Sequence, residues 1–350
     1  MTTGRAPSSL LTSFVVASRY VPVYLAILLL LAVAAIWAPQ ALGGPSLRGI
    51  APLAALLGIA ALGQMLVVMT GGIDLSTPGT VTLAAAIMVG VGAQSDDRIG
   101  LAILTGLAAG AAIGLVNGIL IGGIKLNPLI VTLAVGQVVI GVVNRYGRTF
   151  AVQSPVPSGW SAWTSSRILG FSPVFWIGVL LTIILILGFR YTATGRRFQA
   201  VGANAVAAHV VGVRVNVSQI MVYVVAAMLY AVVGLALAGI IRNPGVAPHT
   251  QYLLGPIAAV VIGGAALTGG LASAMATFTA AFFLTGLNHM MLTLRLPTSL
   301  QFVVFGVVII GGMLVSGDRI IKAVERVLRE RRKPIRPERQ DTENQLESTG

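Results

Sequence analysis

The sequence predicts an all-α polytopic membrane protein, with about ten transmembrane helices in one domain. Three observations carry that prediction. Of the 350 residues 56% are hydrophobic and only 9% charged, whereas a soluble domain carries roughly 25% charged residues. Apolar stretches long enough to span a bilayer follow one another with little chain between them. The charge is also segregated: the chain from Asp318 onward holds nine of the 23 Lys and Arg and seven of the ten acids.

A span needs about 20 mainly apolar residues. Taken in order, segments near 20–38, 51–71, 75–93, 101–122, 127–144, 173–190, 217–241, 252–268, 271–291 and 297–316 meet that test. The first run is too long for the core of a signal peptide, and no clear small-x-small site follows it. It is therefore expected as an uncleaved helix behind a cytoplasmic N-terminus, 1–19. The second and third runs are separated only by Gly71-Gly72-Ile73-Asp74-Leu75-Ser76, so 51–93 is open to a broken helix. Likewise 252–291 is open to a re-entrant turn at Gly263–Gly270. The membrane domain is expected over 20–317.

Placement of Lys and Arg sets the expected orientation. With both ends cytoplasmic, 16 of the 23 lie inside and seven outside. Nine of the 16 sit in the 318–350 tail, so the tail and the 190–214 loop decide the matter. That tail begins as an amphipathic pattern, with Ile320, Ile321, Val324, Val327 and Leu328 on one face and a basic cluster beside them. The cluster suits an anionic leaflet, at about 1 kcal/mol per charge, and beyond Pro334 the composition reads as disordered. The external 145–172 segment holds Trp160 and Trp163, and Trp176 follows it; all three suit the headgroup level.

Several polar or small residues inside the apolar runs call for a physical reason. Asp74 is the acid inside the apolar region from Leu53 to Gly92. A carboxylate at a helix centre costs roughly 2.5–3.5 kcal/mol, so it is expected to face protein, water or a helix end. The double glycine before it and Thr77-Pro78 after it predict a chain break and a new helix, with Asp74 or Thr77 as its cap. Asn127-Pro128 repeats the pattern, with Thr132 one turn later. Asp74, Asn127 and Thr132 are therefore candidates for a solute path or gate. Asn117, Gln137 and Asn144 are expected to make hydrogen bonds between helices. Such amides and hydroxyls also suit a neutral polyol, which offers many hydrogen bonds and no charge. Gly106, Gly110, Gly114, Gly118 and Gly122 recur every four residues and build a ridge for close helix packing. Since the α-helix repeats every 3.6 residues, that ridge drifts along the helix and can touch more than one neighbour.

Other classes lose ground on composition. The three histidines are scattered, no HExxH pair or acid cluster suggests a metal, and there is no Walker A sequence. No cofactor is expected in this chain, and hydrolysis of ATP is not expected of it. A basic patch interleaved with stacking aromatics is missing, so nucleic acid is not an expected partner and membrane lipid is. A gradient-driven carrier tends to hold membrane-embedded ionisable groups, and Asp74 is the one on offer here.

The segment Thr194-Gly195-Arg196-Arg197-Phe198-Gln199-Ala200-Val201-Gly202-Ala203-Asn204-Ala205-Val206-Ala207-Ala208, closing at Gly212-Val213, resembles the cytoplasmic coupling loop of ribose/xylose/arabinose-type ABC permeases. Gly71–Ser76 (GGIDLS), Asn127–Leu133 (NPLIVTL) and the Gly263-Gly264 and Gly269-Gly270 pairs are similar too, so the likeness spans nearly the whole chain. It departs at Thr77-Pro78-Gly79 and at Leu271-Ala272-Ser273. The resemblance implies a type II ABC importer-like fold. Its expected partners are a second permease, identical or paralogous, an ABC ATPase subunit that binds ATP and Mg, and an extracytoplasmic sugar-binding protein. It further implies that Arg196, Arg197, Gly202, Asn204, Ala207, Ala208 and Gly212, in the loop 191–216, couple the chain to the ATPase. The solute would be a pentose- or hexose-like monosaccharide, with a polyol, a nucleoside or a signalling sugar as alternatives.

Overall fold

Hydrophobic mass this large can bury itself only by helix against helix or helix against lipid, since a membrane leaves no water to satisfy a free backbone. A computed structural model of the chain describes residues 19–150, 155–242 and 249–316. The N-terminal arm and the basic tail expected from the sequence lie outside the described residues. Among the described residues no strand forms, and the chain runs as α1 (Val21–Trp37), α2 (Gly44–Met69), α3 (Thr77–Gly92), α4 (Ile99–Gly118) and α5 (Pro128–Phe150). A short α6 (Ser158–Ser165) precedes α7 (Pro173–Tyr191), and two more short helices follow, α8 (Ala193–Ala203) and α9 (Ala205–Val210). The remainder is α10 (Val215–Ile241), α11 (Gln251–Ile262), α12 (Ala274–Thr293) and α13 (Thr298–Ser316).

Six of these are long and apolar enough to cross a membrane, and four shorter apolar helices fall at the other expected spans. Both regions left open in the sequence are interrupted. The chain leaves helical geometry between Met69 and Thr77, and again between Ile262 and Ala274.

Burial separates the central helices from the peripheral ones. In the most apolar stretch of α2, 78% of residues are buried, against 17% in α7. Leu56, Ile59, Leu62, Met65 and Leu66 of α2 are sealed inside, whereas Leu180, Ile183, Ile184 and Leu187 of α7 stand exposed. In water that apolar face would be a liability; against lipid it costs nothing. The core forms where α2 and α10 meet α12, α3 and α4.

All five ridge glycines of α4 and its continuation face one helix, α10. An added Cβ on Gly110 would lie 2.7 Å from Ala231 Cβ, on Gly118 2.8 Å from Ile220 Cα and on Gly122 3.0 Å from the Asn216 carbonyl oxygen. On Gly106 it would meet Leu235, and on Gly114 the Tyr223 carbonyl. The nearest contacts of all five thus fall on a single partner helix. The contact row on α10 advances by about the same step, so the two helices stay in register as small-xxx-small pairs do. A π turn at Ile119–Gly123 closes the helix and adds width to its last turn.

The end of the bundle opposite α8 and α9 is fastened by its loop. Asp96 accepts hydrogen bonds from Gly159 N (2.8 Å) and Ser158 Oγ (3.2 Å) at the start of α6. Trp160 donates from Nε1 to the Leu235 carbonyl at 2.9 Å and stacks on Trp163.

Candidate functional site

Two regions of this chain combine unusual chemistry with a constrained backbone. The first is the unwound segment between α2 and α3. Gly71-Gly72 ends α2, and Ile73, Asp74 and Leu75 then run outside helical geometry through the protein interior. Backbone in such a place must find partners other than water, and side chains from the surrounding helices supply them.

Gln64 of α2, in the amide orientation that serves Asp74, accepts from Asp74 N (3.1 Å) and donates to Asp74 O (3.0 Å) and to the Tyr230 hydroxyl (3.1 Å). Thr132 of α5 accepts from Leu75 N at 2.9 Å and donates to the Pro128 carbonyl at 2.8 Å. Asp74 itself is 1% exposed. Its Oδ1 accepts from Ser76 N (2.8 Å) and Ser76 Oγ (2.6 Å), an Asx-type turn that leads into α3. Ser76 Oγ in turn accepts from Asn117 Nδ2 of α4 at 2.9 Å. Asp74 thus caps the residue at the mouth of the helix rather than an amide inside its first turn. Thr77 turns its hydroxyl back to the Asp74 carbonyl at 3.3 Å.

Four helices therefore hold one short segment: α2 through Gln64, α4 through Asn117, α5 through Thr132 and α10 through its tyrosines. The fit is tight as well as polar. A side chain on Gly72 would overlap the Tyr223 hydroxyl. Three buried atoms around the segment have no hydrogen-bond partner: Asp74 Oδ2, Asn117 Oδ1 and the Tyr223 hydroxyl. Each is sealed from the surface, and the Tyr223 hydroxyl can donate as well as accept.

The candidate path residues are only partly united here. Asp74 and Thr132 belong to the same cluster, since Thr132 Oγ1 also lies 3.3 Å from the Ile73 carbonyl. Asn127 does not join them. It is exposed, and its Oδ1 accepts from Leu129 N at 2.9 Å as the cap of α5. Gln137 and Asn144 are corrected by the structure. Bonds to neighbouring helices are expected of both, yet both lie exposed on α5. The packed side of α5 is the other one, where Gly136 meets the backbone of Ser76 and Leu75. Seven residues separate the two amides, which puts them on one outward stripe with Gly141.

No sequence motif singles out Gln64, Tyr223 or Tyr230, which the structure brings to the site. Gln64 has a signal, being the polar residue in the run Ala51–Met69. The two tyrosines have a weaker one, their spacing of seven on α10.

The second region is the pair α8 and α9. Thr192 caps α8 by accepting from Gly195 N at 3.0 Å, and Asn204 caps α9 by accepting from Ala207 N at 3.0 Å. Gly212, at φ +83°, turns the chain out of α9. Ala208 is buried against the body of the chain, while Ala207 is exposed. Val206, Val210 and Val211 are 75–80% exposed, a short apolar knob outside the bundle. Arg196 and Arg197 stand exposed on α8 beside it. Gly202 sits where α8 meets the end of α2: an added Cβ there would overlap the Met69 carbonyl oxygen.

A helical bundle with lipid-type flanks, a buried broken helix and an external apolar knob defines a multi-pass membrane transport subunit. The chain belongs to the family described as "Branched-chain amino acid transport system / permease component", whose model matches residues 46–313. It is similar to the autoinducer 2 import system permease protein LsrC of Enterobacter sp. (strain 638), 31% identical over 309 residues, 88% of this chain and 89% of the relative. The LsrC protein of Yersinia enterocolitica is 26% identical over 297 residues, 83% and 82% of the two chains. The galactofuranose transporter permease protein YtfT of Escherichia coli (strain K12) is 32% identical over 278 residues, 78% and 80%. No solved structure matches the chain.

Proposed function

We propose that this chain is one of two permease subunits of an ABC importer, carrying a small, neutral, hydroxyl-rich sugar inward while partner subunits bind ATP and Mg and hydrolyse the nucleotide. The observation that carries the reading is the capped, apolar knob at α9, set beside exposed arginines at one end of a membrane bundle. Val206, Val210 and Val211 have no use for water and, so placed, none for lipid chains; a groove on another protein suits them. Arg196, Arg197, Gly202, Asn204, Ala207, Ala208 and Gly212 act together in that docking. The knob faces the cytoplasm, as do both termini, in the bacterial inner membrane.

The solute class is supported from two sides. The relatives named above are an autoinducer 2 import permease and a galactofuranose transporter permease. On the chain itself, Gln137 and Asn144 are amides on an outward stripe of a membrane helix. Gln137 lies near the middle of α5, and an exposed amide there faces a partner or a water-filled passage rather than lipid. The stripe therefore lines the passage, at the seam with the second permease. Asp74 and Thr132 hold the unwound segment that gates it. The sugar-binding protein is assigned to the other end, where Arg48, Arg167, Thr164, Ser165 and Ser166 line a shallow cleft.

Gentle purification from the native cells tests the proposal. An ATPase with Walker motifs is expected to co-purify, and vesicles holding the complex and its binding protein are expected to take up sugar only with internal ATP. A preparation without an ATPase that moves solute along an ion gradient would overturn it. So would a label at residue 345 that reacts from outside the cell, for the orientation.

A further inference from the structure

The exposed knob explains how the chain can be gripped, but not how a grip at α9 reaches the buried segment at 70–76. The contacts around Gly202 supply the route. The Met69 carbonyl, the last of α2, accepts a hydrogen bond from Gly270 N at 2.8 Å. Gly202 of α8 packs its Cα on that same carbonyl, and a Cβ built on Gly202 would lie 3.0 Å from Gly270 N. A Cβ built on Gly269 would lie 2.9 Å from the Gly202 carbonyl oxygen and 3.2 Å from Gly71 N. One built on Gly270 would lie 3.3 Å from Ala203 Cα. Three backbones, from α8, from the end of α2 and from the loop between α11 and α12, thus touch with no side chain between them.

Contact of this kind differs from ordinary packing. Side chains can hop between rotamers and absorb a displacement, whereas backbone against backbone has no such slack. Gly269 and Gly270 stand at φ +97° and +91°, which L side chains rarely adopt. The loop therefore keeps a shape that lets its amide reach Met69. From Met69 the chain continues directly into Gly71, Gly72 and the segment held by Gln64, Asn117 and Thr132.

We propose that Gly202, Met69 and Gly269–Gly270 form a rigid joint through which movement of the coupling segment is delivered to the unwound segment 70–76. The three pieces move as one body, and the flexible step lies beyond the joint, among the side chains that hold Asp74 and Leu75. Gly269 and Gly270 are positioning residues for transport, although they touch neither solute nor ATPase. The inference rests on the coupling reading of α8 and α9 given above.

The complete complex in vesicles, with any cysteines of the partner subunits replaced, provides the test, and this chain brings no cysteine of its own. With Thr194→Cys and Leu271→Cys, both at exposed positions, spin labels report the distance between α8 and the 263–273 loop. That distance is expected to be the same in the nucleotide-free and nucleotide-trapped complexes. A change between the two states would overturn the joint. In parallel, Gly270→Ala forces a strained residue against Ala203 and is expected to lower sugar taken up per ATP hydrolysed by between about twofold and thirtyfold, at an undiminished ATPase rate. Parental stoichiometry in that variant would also overturn it. Should Gly270→Ala fail to assemble, the distance measurement in the otherwise native joint still decides. Failure of the coupling reading shows separately, as uptake by the unsubstituted complex that needs no ATP.

Discussion

The two interruptions in the helical path, 70–76 and 263–273, begin alike and are held in opposite ways. Each follows an apolar helix, each contains paired glycines, and each ends at a serine just before a new helix. The first is clasped by side chains from four helices, with Gln64, Asn117 and Thr132 reaching its backbone or its Ser76 hydroxyl. The second is tied mostly by its own turns: Gly264 N to Val261 O, Ala266 N to Leu271 O, and Gly269 N to Ala266 O. Leu267 and Leu271 stand exposed there, whereas Asp74 and Ser76 are sealed. A break held from outside responds to whatever moves its holders. A break held by itself keeps its shape and passes movement on. The difference assigns a responding role to the first and a transmitting role to the second.

The sharpest way to break that contrast is to fill the first interruption. Gly72→Val places a branched side chain on the Tyr223 hydroxyl. Overpacking costs about 1–3 kcal/mol where neighbours can shift, and the backbone clasp leaves little room for that. The variant is expected to lose most of its folded yield, read as monodisperse protein after detergent extraction. A parental yield would mean that the segment is looser than its contacts indicate. A substitution of similar bulk on the exposed flank of the second break, Leu271→Phe, is expected to leave the yield unchanged.

Next in size is Asn117→Ala. It removes the donor to Ser76 Oγ and leaves a cavity at a fully buried position. Losing one partner of a buried hydrogen bond costs about 1–3 kcal/mol. The melting temperature in detergent is expected to fall by several degrees, and uptake with it. Asp74→Asn is expected to do much less. The amide oxygen can take the place of Oδ1 toward Ser76, and the amide nitrogen replaces Oδ2, an acceptor that receives no donor. Asp74→Leu, which keeps the bulk and removes the acceptor, separates the two cases. A large loss in Asp74→Asn and a small one in Asp74→Leu would reverse the reading of the clasp.

Much of this architecture is legible in the amino-acid order. The spans, the break after Gly71-Gly72 and the caps at Asn127 and Asn204 follow from hydropathy and from the chemistry of Gly, Pro and Asn. These are local rules, which act over a few residues. What the sequence hides is which side of a helix faces what. Gln137 and Asn117 look alike in an apolar run, yet one is exposed on α5 and the other buried at 0% exposure. Period alone cannot choose the buried side when a membrane helix is apolar all round. The glycine ridge shows the same limit. Its closeness to a partner is foreseeable, but a single partner, α10, requires the matching row on that helix. Tertiary joints such as Gly202 on Met69 lie further still beyond local rules, because the two residues are 133 positions apart and nothing in either neighbourhood announces the other.

The smallest expected effects come from the two asparagine caps, and they sharpen the assignment of roles. Asn127 and Asn204 do the same local work: each accepts backbone amides at the start of a helix, at 2.9 and 3.0 Å. Replacing either by Ala removes a cap, worth about 1 kcal/mol, and lowers the melting temperature by a similar small amount. Their effects on uptake should differ. On the proposed docking role of the knob, which Asn204 fixes, Asn204→Ala is expected to reduce sugar uptake beyond what its stability loss explains. Asn127 is exposed and apart from the Asp74 cluster, so Asn127→Ala is expected to transport in proportion to its folded yield. Uptake and folded yield measured side by side on both variants check this. If Asn127→Ala transports poorly at full yield, Asn127 contributes to the path directly, and the gate extends from the buried segment to the exposed start of α5.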